Sequence, residues 1–219
     1  MTSLISLTQN QKQGILESLE KLCSIFWGPN PEKCREILSV DYFLSFEVLD
    51  DLLNQNNQNT LKGIKKIISA FSDTESLFDF LEEAYVRCFI NARGGISAPL
   101  YHSCYNDSFR EGNAPALMGE TAVYMKQRFE SKGLSVADTI NEPPDHLSIE
   151  LEYLFFLLQN GWEKQNNDYL SEAVSFAKTF LLPWITMFCD RLLDEQDCPF
   201  YSYAAAILKS ELYLISRLG

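Results

Sequence analysis

The stretch from Asn141 to Leu158 constrains the fold more than any other part of the chain. Pro143 and Pro144 cannot sit inside a helix but suit its first turn. Beyond them Leu147, Leu151, Leu154, Phe155 and Leu158 recur at helical spacing, and the second half of the stretch is apolar on almost every side. A helix apolar all round belongs in the middle of a protein. Its expected first turn gathers Glu142, Asp145, His146 and Ser148, the densest polar cluster in the sequence. The central helix is therefore expected to present a carboxylate and an imidazole at its mouth.

The rest of the chain reads as further helices. Thr8 to Trp27 places Ile15, Leu16, Leu19, Leu22, Cys23 and Phe26 on one face, and Gly28-Pro29 stops it. Asn30 and Pro31 are a good cap and first position for a short helix through Leu38. Asp41 to Leu53 is a third helix, and the polar tract Asn54 to Asn59 is expected on the surface as a loop. Thr60 opens a helix with Leu61, Ile64, Ile67, Ile68 and Phe71 on one face. Ser72 with Glu75 fits a capping box leading a long helix through Phe89. Ala92 to Pro115 is the one long irregular segment, and Tyr101 and Tyr105 argue that it folds onto the body. Ala116 to Lys132 resumes helix and Gly133 ends it. Asp168 to Leu182 runs up to Pro183, where a new helix is expected, and Pro199 to Leu218 closes the chain. No stretch alternates apolar and polar residues like a strand, so the fold class is all-α.

Composition narrows the partners. The formal net charge of −12 disfavours nucleic acid, whose affinity is built from clustered Lys and Arg, and favours a basic ligand or plain solubility. Hydrophobic residues make up 46% of the chain, ample for a core. The six cysteines show no Cys-x-x-Cys spacing, which points to buried reduced thiols rather than a zinc site or a disulfide framework. No leader-like start and no apolar run of about 18 residues stands in the sequence, so a soluble, cytoplasmic protein is expected.

Each candidate site residue has a plain structural alternative. Glu142 and Asp145 could serve only as helix caps. His146 precedes Glu150 by four residues with Tyr153 on the same flank, which suggests a His–Glu pair, tuned or merely structural. His102 and His146 fit no metal-binding helical motif. Arg93-Gly94-Gly95 lacks the Lys-Ser or Lys-Thr of a phosphate loop and reads as a turn. The rings of Tyr85, Phe89, Tyr101 and Tyr105 suit a core, while the two in the irregular segment also suit a binding surface.

Asn141-Glu142-Pro143-Pro144-Asp145-His146-Leu147, followed by Glu150-Leu151-Glu152-Tyr153-Leu154, resembles the signature of the TorD/DmsD family of cytoplasmic chaperones that mature molybdenum-containing oxidoreductases. Tyr85 to Phe89 is similar to that family's aromatic-x-Arg-Leu-Phe segment, with Cys88 replacing Leu. Pro99 to Tyr105 resembles its Pro-x-aromatic-x-Ser-x-aromatic segment, with His102 where Glu or Gly is commoner. Leu117-Met118-Gly119, Gly133-Leu134, Leu182-Pro183-Trp184 and Pro199-Phe200-Tyr201 also fit, whereas residues 1–70 match loosely.

The resemblance implies one all-helical domain over residues 1–219, with about ten helices and no catalytic reaction or cofactor of its own. It implies a partner, an apo-molybdoenzyme and its twin-arginine leader peptide, held back from export until the molybdopterin cofactor is inserted. Relatives of this kind occur as monomers or domain-swapped dimers. The positions carried over to a peptide groove are Tyr85, Phe89, Tyr101, Tyr105, Asp145 and His146, and the acidic helix mouth adds Glu142. A helical adaptor unconnected with export, or a nucleotide hydrolase, are the competing readings.

Overall fold

Thr8 opens the first helix, α1 (Gln9–Phe26), with a full capping box: its hydroxyl accepts from the Gln11 amide and the Gln11 side chain accepts from the Thr8 amide. In this computed structural model, which describes residues 7–91, 96, 98–105, 119–137, 140–194 and 198–218, helix follows helix. Asn30 caps α2 (Pro31–Ile37), as its spacing predicts. α3 (Leu44–Leu52) starts later than Asp41 because residues 38–43 are spent in turns, with Tyr42 N–H on the Ser39 carbonyl and Leu44 N–H on that of Asp41.

α4 (Gln58–Ile68) begins inside the polar tract expected as a surface loop. Asn54 and Gln55 do take left-handed turn conformations, but Asn57 is buried. Its amide donates to Asp50 Oδ1 at 2.6 Å, and its side-chain oxygen accepts from Ser210 at 2.9 Å. α5 (Thr74–Tyr85) is capped by Asp73, which accepts from the Ser76 amide at 2.9 Å, so the expected Ser72–Glu75 box is displaced by the stronger carboxylate cap one residue on. The chain then widens into a π-helix at Val86–Ile90. A 3₁₀ turn covers His102–Tyr105, and Arg93-Gly94-Gly95 lies outside the described residues.

α6 (Glu120–Ser131) ends before Gly133, whose φ of +69° is the left-handed exit predicted for it. The central helix is α7 (Leu147–Glu163). α8 (Asn167–Ser175) runs through a second π segment, Phe176–Leu181, straight into α9 (Leu182–Asp194). Pro183 therefore does not separate two helices as expected, because the widened turn before it absorbs the missing N–H. α10 (Pro199–Ile215) closes the fold.

The fold is all-α, and the lone β feature among the described residues is an isolated bridge between Tyr101 and His146. α7 packs against α1 on one side and α8 on another, while α10 joins α9, α4 and α1. One hydrophobic cluster runs from Ile15 to Leu218, with Phe26, Tyr153, Trp184, Phe188 and Tyr201 buried within it. The expectation of six reduced thiols is corrected: Cys88 and Cys198 form a disulfide, and the fold brings them together across 110 residues, a contact no local spacing announces. Cys23, Cys34, Cys104 and Cys189 are free and buried. Among the described residues no helix is long and apolar enough to cross a membrane.

Candidate functional site

The mouth of α7 is built by a turn, not by the helix itself. Pro143 and Pro144 precede the helix, and the His146 amide closes the turn on the Pro143 carbonyl at 3.0 Å. His146 is the N-cap residue, and its Nδ1 accepts from the Ser148 amide at 3.2 Å. An imidazole that accepts at Nδ1 is neutral with its proton on Nε2. Burial holds its pKa down to about 4, against the pull of Glu142 and Asp145 toward the charged form. The expected first turn of Glu142, Asp145 and His146 thus lies just outside α7.

Asp145 is 0% exposed and faces inward. Its Oδ2 accepts from the Ser103 amide at 3.0 Å and from the Thr121 hydroxyl at 3.2 Å. The backbone adds His102 N–H to the Asp145 carbonyl at 3.0 Å and Leu147 N–H to the Leu100 carbonyl at 2.8 Å. Asp145 therefore fastens the 98–105 segment and the start of α6 to the mouth of α7. Its other oxygen, Oδ1, is buried with no hydrogen-bond partner among the described residues.

The expected His146–Glu150 pair does not form. Glu150 turns into the core, where Oε1 lies 3.1 Å from His102 Nδ1 and Oε2 accepts from Trp184 Nε1 at 3.0 Å. Burial raises the Glu150 pKa well above its ordinary value and lowers that of His102 to about 3. Burial thus disfavours the charged form of both partners in this contact. Tyr153 is also elsewhere: its hydroxyl donates to Glu172 at 2.6 Å, and that carboxylate also holds Arg128 at 3.0 Å and Lys132 at 2.7 Å.

Around His146, itself only 3% exposed, partly exposed side chains form a continuous ridge. Tyr101 donates to Glu142 at 2.7 Å and sets its ring edge-on to His146 at 5.3 Å. Trp27 stacks on His146 with centroids 4.8 Å apart and planes 16° from parallel. Trp27 Nε1 then donates to Glu152 Oε1 at 3.0 Å. Gly28 makes this possible: its φ is +89°, and a Cβ there would come within 3.1 Å of the Tyr85 ring. Tyr85 in turn donates to the Phe26 carbonyl at 3.2 Å, fixing the end of α1 that carries Trp27. Burial and Glu142 push the Tyr101 phenol up, so it stays a donor.

The structure thus brings Tyr101, Glu142, Asp145 and His146 together, with Tyr85 beneath. It does not bring Phe89 and Tyr105 to the surface. Phe89 packs on Phe26, Phe188 and Tyr201, and Tyr105 donates to the Pro99 carbonyl at 2.8 Å with its ring against Trp184. Trp27 and Glu152 are ridge members that sequence reading missed. The signal for Glu152 was a second carboxylate, two residues after Glu150, within an apolar run; Trp27 gave none, since its partner is 125 residues away. Carboxylates beside aromatic faces suit a cation, and a guanidinium best of all. Among the described residues no His, Cys, Asp and Glu cluster could hold a metal ion.

Comparison with known proteins places this geometry in context. A family profile described as the nitrate reductase delta subunit matches residues 50–190. The chaperone protein TorD of Vibrio cholerae is 26% identical over 197 residues, covering 86% of this chain and 87% of that protein. The TorD chaperone of Shewanella pealeana is 30% identical over 116 residues, covering 52% of this chain and 49% of its own length. A solved structure described as a redox enzyme maturation protein from Archaeoglobus fulgidus aligns with a TM-score of 0.48 and 21% identity, covering 95% of this chain and 98% of that one. With the profile spanning well over half of its length, the chain belongs to the nitrate reductase delta subunit family, the family of the TorD chaperones.

Proposed function

We propose that this chain is a maturation chaperone for a molybdenum-containing oxidoreductase and acts without turnover of its own. It binds the apo-enzyme through the twin-arginine leader, in the cytoplasm, where such a leader awaits export. The observation that carries this reading is the ridge from Glu142 through Tyr101, His146 and Trp27 to Glu152 on a chain of net charge −12. Two carboxylates separated by aromatic faces match two guanidinium groups, each able to take charge-assisted hydrogen bonds and to lie on a ring. His146, with its pKa held down to about 4, adds no positive charge to repel them near neutral pH. Asp145 and His146 position the ridge; Tyr85, Phe89 and Tyr105 support it from below. Residues 1–219 act together in this reading, since Trp27 comes from the end of α1, Tyr101 from the 98–105 segment, and Glu142, His146 and Glu152 from the central helix and the turn before it.

The test uses co-purification from the host to identify the client, then calorimetry with the client's leader peptide. Glu142→Gln and Glu152→Gln should each weaken binding by about tenfold, the loss of one charge-assisted contact, with little change in melting temperature. Unchanged affinity in both variants would remove the ridge as the site. A leader that does not bind the wild-type protein at all would remove the chaperone reading in this form.

A further inference from the structure

Gly133 turns the chain out of α6, and residues 134–137 and Ile140 lie along the outer face of α7. The connector is pinned by Leu134 N–H on the Phe129 carbonyl at 2.8 Å and by Ile140 N–H on the Ala137 carbonyl at 2.9 Å. Between connector and helix lies an open groove of about 280 Å³. Its walls are Phe129, Leu134, Val136, Ile140, Ile149 and Phe156, with Glu152 at the rim. The groove is too small for a folded partner and holds a few aliphatic side chains.

Charge decides what fits. Arg128 on α6 and Lys132 at its C-terminal cap are both engaged by Glu172. A ligand therefore meets an apolar wall and one exposed carboxylate, Glu152, which engages Trp27 through Oε1. Because Glu152 ends the ridge and also lines the groove, the two form one surface. An apolar run preceded by a cation complements that surface, and leader peptides have this order: a basic start, then about 7–15 apolar residues.

We infer that the groove between α7 and the side chains of residues 134–137 and Ile140 seats the apolar run of the leader, immediately after its basic pair has met the ridge. This inference rests on the leader-binding reading above. The probes are synthetic twin-arginine leaders of the host's own molybdenum oxidoreductases. Three changes address the groove: Val136→Asp in its wall, Ala137→Trp at its exposed rim, and a leader whose apolar run is broken by Ser replacing Leu. Each should lower affinity by about tenfold to hundredfold, the effect of leaving one aliphatic side chain unburied. The loss from Val136→Asp should be the same for a leader with its Arg pair changed to Gln. The peptide variant and the rim variant keep the test sound if Val136→Asp does not fold.

If all three changes leave affinity intact while Glu142→Gln lowers it, the groove assignment is overturned and the ridge stands. If no leader binds the wild-type chain, both fall together. A concentration-dependent dimer that Val136→Asp abolishes, with leader affinity unchanged, would make the groove a contact between two copies of this chain and overturn the inference.

Discussion

Asp145 and Glu142 are near neighbours in sequence and do different work. Asp145 is fully buried and holds the Ser103 amide and the Thr121 hydroxyl, so Asp145→Ala leaves buried groups without a partner. Its cost should be about 2–3 kcal/mol in chemical denaturation, more than a lost cap. Glu142 is half-exposed with one inward bond from Tyr101, so Glu142→Gln should unfold at nearly the wild-type denaturant concentration. Equal destabilisation by the two changes would contradict this division. Glu211 is a second buried carboxyl, 2.6 Å from Ser18 Oγ, and burial pushes it up to about 8. Below its unfolded value of about 4.5 both states hold the proton. As pH rises from there to 8 the unfolded chain releases it while the folded chain keeps it, so stability falls by an amount on the order of a few kcal/mol. His102 and His146, lowered to about 3 and 4, act oppositely: their contribution is present above their ordinary value and is lost as pH falls through those values. Glu211→Gln should therefore flatten the decline in stability between about pH 5 and 8 in denaturant titrations. A decline as steep as in the wild type would assign it to another group, such as Glu150.

At the scale of elements, the rule that decides a cap is tested by α5. Asp73→Ala should lower the melting temperature measurably and Ser72→Ala hardly at all, read by thermal unfolding of each variant. The reverse order would restore the capping box read from the sequence. Helix existence was legible because apolar periodicity is a local property: the faces of α1, α4 and the central helix are stated by residues three and four apart. Helix starts were less so, because several polar residues in a row compete for one cap. Ser72 lost to Asp73 at α5, and the Pro143-Pro144 turn put His146 at the cap of α7. The π segments before Asn91 and Leu182 were invisible, since an extra residue per turn costs the apolar pattern almost nothing.

Across the whole molecule, the site was legible by half. Glu142, Asp145 and His146 were found because they crowd one motif, but what each one does depends on Ser103, Thr121, Tyr101 and Trp27, which only folding brings near. The Cys88–Cys198 link is of the same kind. Alkylation of the unfolded chain without reductant should modify the four cysteines at 23, 34, 104 and 189, and labelling of all six would contradict the pairing. The net charge of −12 acts at long range, while the groove and rings act by contact. Leader affinity should therefore fall as salt rises past the point where the screening length is about 8 Å, then level off. Indifference to salt would remove the electrostatic share of the ridge.

The stack of Trp27 on His146 also makes the ridge optically visible. Its indole is half-open to water, whereas Trp184 is locked in the core on Glu150. Trp162, near the far end of the central helix, and Trp184 stand apart from the ridge, so a peptide laid over it strips water from Trp27 and leaves the other two emitters as internal standards. Fluorescence should shift to shorter wavelength on titration, and Trp27→Phe should abolish the shift while retaining the signals of Trp162 and Trp184. Heat of binding without any spectral change would place the peptide somewhere other than over this indole.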